Sequence, residues 1–340
     1  MAKRDLIVIG TSSGGVEALR TIVAALPSDF AASLFVVMHS AANSPGLLDK
    51  ILQRETTLRV EIAQNNQKFK PGHIYVAPPD HHLILEPGII CLSRGPKENR
   101  FRPAVDPLFR SAAQTYGPRV VGVILTGGLD DGTAGLWAIK QLGGTTVVQE
   151  PAEALAPSMP ASALRNVKVD YCVPLVEIGP LLGKLVDTFA DEERSYEMPE
   201  HLNIEVRIAK QDPAIDQDVR QIWETSSFTC PECHGVLLKL KEGGRERFRC
   251  HTGHAFSKDS LLMFLSEGIE ESLWITIRSI EESVLLMRHI ADHLKSIDPD
   301  AANEFHRRAD EALRRSEVVR SALIQHEEIN RERVEQAIDR

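Results

Sequence analysis

Long apolar runs are missing from this chain. Nothing approaches the roughly 18 consecutive apolar residues that a membrane-spanning helix needs, so no span is expected. A targeting segment is missing as well, because the strand-like run "DLIVIG" begins within four residues of Met1, and a cytoplasmic protein is expected. Clustered positive charge is also absent. Acidic residues outnumber basic ones by 48 to 39, with no basic tail and no Lys and Arg run interleaved with aromatics. This excludes the electrostatic footprint of a nucleic-acid binder. Cysteine is scarce and unevenly placed: of five, Cys91 and Cys172 stand alone in apolar surroundings while Cys230, Cys233 and Cys250 fall close together. An odd count with one local cluster points to metal rather than disulfides. The nucleotide fingerprints are missing too. Gly10, Gly14 and Gly15 do not make G-x-G-x-x-G, no G-x-x-x-x-G-K-[ST] occurs, and the second strand ends in His39 where a ribose-binding acid would be wanted.

What is present divides into segments, as expected for 340 residues when a domain takes about 100 to 200. Residues 1–189 alternate strand-like apolar runs with helical patterns: "DLIVIG", then Val16, Leu19, Ile22, Val23 and Leu26 on one helical face, then "SLFVVM". This βαβα order predicts an α/β fold with a doubly wound, mostly parallel sheet. Ser44 and Pro45 predict the start of another helix, with Pro at the first helical position. From "KPGHIYVAPPDHHLILEPGIICLSRGP" short runs between Pro-Gly and Pro-Pro turns predict an inserted antiparallel hairpin. Periodicity then fades and charge rises, which predicts a linker over 190–222. The cysteine cluster occupies 223–257. Beyond it, Ile269, Leu273, Ile277, Ile280, Val284, Met287, Ala291 and Leu294, then Phe305, Ala309, Ala312, Ser316, Val319 and Leu323, recur at three- and four-residue steps and predict an antiparallel helical hairpin of coiled-coil type over 258–340.

The strand-to-helix turn "GTSSG" matches G-x-S-x-G, which lifts a serine above the sheet edge and opens a helix whose N–H groups can face an oxyanion. Alone, such a turn is more often an ordinary helix start. Its weight comes from other strand ends: His39 follows "LFVVM", and Asp130 and Asp131 follow "VVGVILTGGL". In an open parallel sheet the carboxyl ends of the strands line one rim, where sites form. A serine hydroxyl needs a neutral imidazole to take its proton, and the imidazole needs a carboxylate to fix its tautomer. Ser12, His39 and Asp131 can fill those roles, in a chain order unlike the usual α/β-hydrolase one.

In this order, "VIGTSSGGVEAL", "VVMHS", "YVAPPDHHL", "RPAVDPLFRSAA", "GVILTGGLDDGTAGL" and "EPAEALAPSMPASAL" resemble the catalytic domain of the bacterial chemotaxis protein-glutamate methylesterases over residues 1–189. The resemblance implies hydrolysis of glutamate γ-methyl esters on helical chemoreceptors, often with glutamine deamidation, and no organic cofactor. It makes Ser12 the nucleophile, His39 the general base, Asp131 its orienting acid and the Ser13 N–H an oxyanion donor. Arg110 either helps hold the acidic substrate or the site's geometry, or makes a structural ion pair, and His82 is structural. Two departures stand out. Where the family usually reads like "TGMGNDG" this chain has "TGGLDDG", with Gly128, Leu129 and Asp130 replacing Met, Gly and Asn; a second carboxylate beside Asp131 is expected to raise the pKa of one of the pair. The usual N-terminal receiver domain is also missing ahead of the first strand, so control by phosphorylation in cis is not expected. The altered loop leaves open a second reading, a scaffold without catalysis that binds partners through its tail.

"CPECHGVLLKLKEGGRERFRCHTGH" places Cys230 and Cys233 two residues apart and, after a hairpin-like stretch, Cys250 and His254. Thiolate and imidazole ligands on two turns fit a structural zinc ribbon, with His251 as the competing fourth ligand. Four protein ligands leave no open position for catalysis. The ribbon and helical hairpin are expected to dock the enzyme to a receptor, another chemosensory regulator or a sister chain.

Overall fold

The computed structural model describes residues 3–191, 196–212, 223–242 and 245–338. In chain order the first elements are β1 (Leu6–Thr11), α1 (Gly15–Ala24), β2 (Ser33–Met38), α2 (Leu48–Leu52), β3 (Arg59–Ile62), β4 (Gln67–Lys68), β5 (His73–Val76), β6 (His82–Glu86) and β7 (Ile89–Ser93). After them come α3 (Val105–Tyr116), β8 (Val120–Ile124), α4 (Thr133–Gln141), β9 (Thr145–Gln149), α5 (Ser158–Asn166), β10 (Tyr171–Val173) and α6 (Leu175–Val186). Seven strands form one sheet in the order β10-β9-β8-β1-β2-β5-β3, and every pairing in it is parallel.

Alternation along each strand decides which side chain meets which layer. In β1, Leu6 and Val8 join a core that includes Phe109 and Ala112 of α3, Leu136 of α4 and Met159 of α5. Ile7 and Ile9 point the other way, into a core with Leu19 and Ile22 of α1 and Leu182 of α6. A sheet buried on both faces explains why its strands read as continuous apolar runs. The doubly wound expectation is met, and β6 and β7 form the expected antiparallel hairpin, extended by β4. Two details differ. "HIYV" belongs to the main sheet, and α2 begins at Leu48, because Ser44 is drawn into a turn by its N–H bond to the Ala41 carbonyl.

The expected linker is largely a helix in its middle part. Glu200–Ala209 forms α7, with Leu202, Ile204, Glu205, Val206, Ile208 and Ala209 all buried. Leu202 joins the core under α3, while Ile204 and Ile208 pack with Trp223 and Leu240. A helix covered on several sides carries no one-sided apolar stripe, so its period is hidden. The remainder of 213–222 lies outside the described residues.

A four-stranded antiparallel sheet follows, in the order β11 (Glu224–Thr229), β12 (Val236–Glu242), β13 (Arg245–Cys250), β14 (Ala255–Ser257). It belongs to the same compact unit as the parallel sheet, Met1–Leu261. The chain then forms α8 (Lys258–Leu294) and α9 (Pro299–Ile338). Within the second unit these helices run antiparallel, joined by Ser266 to His326, Arg320 to Glu281 and Arg288 to Asp310. Its buried residues include Ile277, Val284 and Ala291 on α8 and Ala302, Ala309, Ser316 and Leu323 on α9, both series at seven-residue steps. Ile269, which its spacing assigns to the seam, is 50 % exposed; spacing fixes a face, not what covers it.

Candidate active site

Strands β8, β1 and β2 lie side by side, and the chain leaves β1 for β2 on one side but returns to β8 on the other. This is the switch point where an open parallel sheet forms its crevice. Ser12 is the first residue past β1, and its N–H donates to the Thr126 carbonyl at 3.0 Å, while Gly15 N–H donates to the Ser12 carbonyl at 2.9 Å. Two glycines fit this segment, one to its neighbour and one to its turn. A Cβ on Gly10 would stand 2.3 Å from Val105 Cγ1, and Gly14 has φ +79° as the residue that starts α1. Ser13 is exposed, and its carbonyl accepts from the Thr126 hydroxyl at 2.9 Å.

His39 is the first residue past β2. Its N–H donates to the Thr11 carbonyl at 3.1 Å, continuing the register that pairs Thr11 with Met38, so Ser12 and His39 stand on adjacent strand ends. The imidazole Nε2 lies 2.7 Å from Asp131 Oδ2. Phe101 stacks on the ring at 3.6 Å between centroids and 8° between planes, and the buried Nδ1 has no hydrogen-bond partner. An ionised carboxylate only accepts, so Nε2 carries the proton and Nδ1 presents its lone pair.

Asp131 is 1 % exposed, which alone would favour its neutral form. Burial pushes its pKa up, but the His39 hydrogen bond and charge, Val105 N–H and the Asn99 amide outweigh that and hold it below the ordinary value. The donors to Oδ2 are His39 and Val105 N–H at 2.6 Å; Asn99 Nδ2 at 3.1 Å, Asp106 N–H at 3.3 Å and Gly132 N–H at 3.0 Å serve Oδ1. Asp106 goes the other way, raised to about 7 by burial first and by the Asp131 charge next. Asp130 also rises to about 7, from burial first and then the nearby Asp259 and Asp131 charges, and it accepts from Ser257 Oγ at 2.7 Å. A charged acid holding an imidazole by one nitrogen, on the strand end next to a serine-bearing turn, supplies the groups that a proton relay from that serine needs.

Arg110 does not line this crevice. Its side chain is 1 % exposed and ion-paired to Glu98, with Asp106 at 3.9 Å and Glu205 at 4.0 Å. Of the expected roles the structure shows the ion pair, and the sequence offers no sign that Glu98 and Glu205 converge on Arg110. Arg249 reaches the same carboxylates, Glu98 at 3.2 Å and Glu205 at 2.9 Å, and Arg247 meets Glu205 at 2.5 Å. His82 is fully buried; Nε2 donates to the Pro96 carbonyl and Nδ1 accepts from Ala104 N–H, which suits a structural role. Asn99, Phe101, Asp106 and Thr126 escaped sequence reasoning. Asp106 and Thr126 lie inside "RPAVDPLFRSAA" and "GVILTGGLDDGTAGL" and Phe101 stands next to the first, whereas Asn99 lies in none of the motifs.

In the four-stranded sheet, Cys230, Cys233, Cys250 and His254 offer ligand atoms all within 4.8 Å of one another. Two turns build the cluster: Cys230 N–H donates to Gly235 O at 2.7 Å, and Gly253 N–H to Cys250 O at 2.9 Å. His251 is exposed and outside it. Three thiols and one imidazole in this compass fit a tetrahedral zinc site.

A family model described as CheB methylesterase matches residues 7–182, which contain Ser12, His39 and Asp131. The chain belongs to the CheB methylesterase family. Similar to it is a putative protein-glutamate methylesterase/protein-glutamine glutaminase of Leptospira interrogans, 39% identical over 182 residues, 53% of this chain and 94% of that protein. A protein-glutamate methylesterase/protein-glutamine glutaminase 2 of Anaeromyxobacter dehalogenans is 39% identical over 184 residues, and here the match spans 54% of each chain. The crystal structure of the Thermotoga maritima CheB methylesterase catalytic domain matches with a TM-score of 0.52 and 35% identity, over 55% of this chain and all of that one. The CheB fold therefore accounts for the parallel sheet and its inserted hairpin, and the four-stranded sheet and long helices lie beyond the family match. No helix among the described residues is long and apolar enough to cross a membrane.

Proposed function

We propose that this CheB-family chain is a serine carboxylic-ester hydrolase that removes methyl groups from glutamate γ-methyl esters of chemoreceptors, and that the same acyl chemistry deamidates receptor glutamines. The observation that carries this reading is the His39 imidazole, tied to Asp131 at 2.7 Å on the strand end next to Ser12, with its buried Nδ1 unpartnered. Ser12 Oγ attacks the ester carbonyl as its proton passes to Nδ1 of His39. The developing oxyanion is met by the Ser13 N–H at the start of α1. The imidazolium, stabilised by Asp131, returns the proton to the departing methanol, and a water deprotonated by His39 then releases the glutamate.

Cys230, Cys233, Cys250 and His254 would hold a structural zinc ion, whose chemistry is to cross-link the two turns of a small sheet. The four-stranded module and the helical hairpin serve as docking surfaces for a receptor or another chemosensory regulator.

Methanol release from methylated receptor, together with labelling by a serine-directed fluorophosphonate, tests the enzymatic reading. Ser12→Ala should abolish labelling and cut methanol release by about 10³-fold or more. Wild-type protein that releases no methanol and resists labelling would instead make the chain a scaffold.

A further inference from the structure

The appended four-stranded module reaches the acid of the proposed hydrolytic site. Its last strand adds to the loop before α3: Asn99 N–H donates to the Ala255 carbonyl at 2.8 Å, and Ala255 N–H to Lys97 O at 3.3 Å. This loop is where Asn99 sits, 5 % exposed, with its amide between two groups of opposite demand. On one side Nδ2 lies 3.1 Å from Asp131 Oδ1 and 3.2 Å from Asp106 Oδ2. On the other, Oδ1 lies 3.1 Å from both the Ser257 N–H and the Ser260 hydroxyl.

A backbone N–H can only donate, so the atom facing Ser257 must be the carbonyl oxygen of the Asn99 amide. This fixes the amide the other way round at Asp131, where a donor is needed. Turned over, the amide would set NH₂ against N–H and oxygen against two carboxylates. Ser260 is itself fully buried, and Ser257 Oγ also bonds Asp130, one of the three residues that depart from the family pattern. Glu98, adjacent to Asn99, is clamped between Arg110 of α3 and Arg249 of β13.

We propose that the Ser257–Ser260 turn is a positioning element of the esterase, orienting the Asn99 amide so that Asp131 holds His39 in register with Ser12. The module thus becomes part of the hydrolase rather than a passenger, and the activity of the family domain in this chain depends on the module's fold. Asn99, Ser257 and Ser260 touch neither substrate nor reacting atoms; they act through Asp131. This inference rests on the hydrolytic reading of Ser12, His39 and Asp131.

The test uses the full chain with Ser260→Ala and Asn99→Ala, measuring kcat and KM for methanol release, the fluorophosphonate labelling rate and the thermal midpoint. Loss of the hydroxyl in Ser260→Ala should lower kcat about threefold to tenfold, and Asn99→Ala by more than about tenfold, with KM unchanged in both. A loss confined to KM, or unchanged kcat and labelling in folded Ser260→Ala protein, overturns the proposal even if Asn99→Ala fails to fold. Wild-type protein that does not label at Ser12 sinks the hydrolytic reading itself, an outcome separate from the other two.

Discussion

The parallel sheet and the four-stranded sheet of the first unit are held together in different ways. The parallel sheet has an apolar core on each face, and β1 alone buries Leu6, Ile7, Val8 and Ile9 at no more than 1 % exposure. The four-stranded module buries few apolar side chains, among them Leu237, Leu240, Phe248 and Phe256, and adds the Cys and His cluster and a fully buried Arg249. Apolar burial is distributed, each fully buried Leu or Ile contributing about 1.5–3 kcal/mol. Cross-links and buried ions are concentrated. One change in the small sheet should therefore do what several are needed for in the large one.

The sharpest way to break that contrast is to remove the metal the cluster is proposed to hold. Chelation, or Cys250→Ser, should collapse hydrogen-exchange protection across 224–257 while β1, β2 and β8 stay protected, because so small a sheet lacks the core to fold without its cross-link. Activity should fall with it, through Asn99. Uniform protection in the chelated protein would put the stability of the module elsewhere.

Next in size is Arg249→Met. Arg249 is the buried cation between Glu98 and Glu205 and also donates to Gly253 O at 2.7 Å. Removing one partner of a buried ion pair strands the other charges and typically costs about 3–5 kcal/mol. Denaturant unfolding should show a loss in that range. A loss below about 1 kcal/mol would mean that Arg110 and Arg247 suffice for the carboxylates. Leu19→Ala, in the core of α1, should cost less, about 2–4 kcal/mol, because cavity creation is partly relieved by collapse of neighbours and Leu19 has many of them.

The same contrast separates what the sequence made legible from what it did not. Strands buried on both faces announce themselves as apolar runs, and the residues that follow them point to Ser12, His39 and Asp131 on one rim. The Cys and His spacing likewise foretold its cluster. Helix α7 was hidden because burial on several sides erased its period, and its buried Glu205 reads as surface charge. Asn99 carries no motif, since its role depends on two partners 158 and 161 residues away. Pairings between ions and amides leave no periodic trace; only apolar layers and short-range ligand spacing do.

The smallest expected effect is Asp130→Asn, which restores the residue the family pattern usually has in the loop beside the site. Asp130 is raised to about 7 by burial above all, from an ordinary value of 3.8. A carboxyl whose folded pKa lies above its unfolded one contributes stability below about pH 4, and that contribution is lost as pH rises through 7, where the folded chain must ionise a buried acid. Asparagine does not titrate. The variant should therefore match wild type near pH 4 and exceed it at pH 8. The residue retains partial exposure, which screens its charge, and a buried amide carries its own desolvation cost. The net gain expected at pH 8 is about 1–2 kcal/mol. Its Oδ1 can still accept from Ser257, so kcat should hold. Paired denaturant curves at the two pH values decide it: a gain equal at both would remove ionisation as the cause, and a falling kcat would tie Asp130 to the Ser257 turn more closely than one hydrogen bond implies.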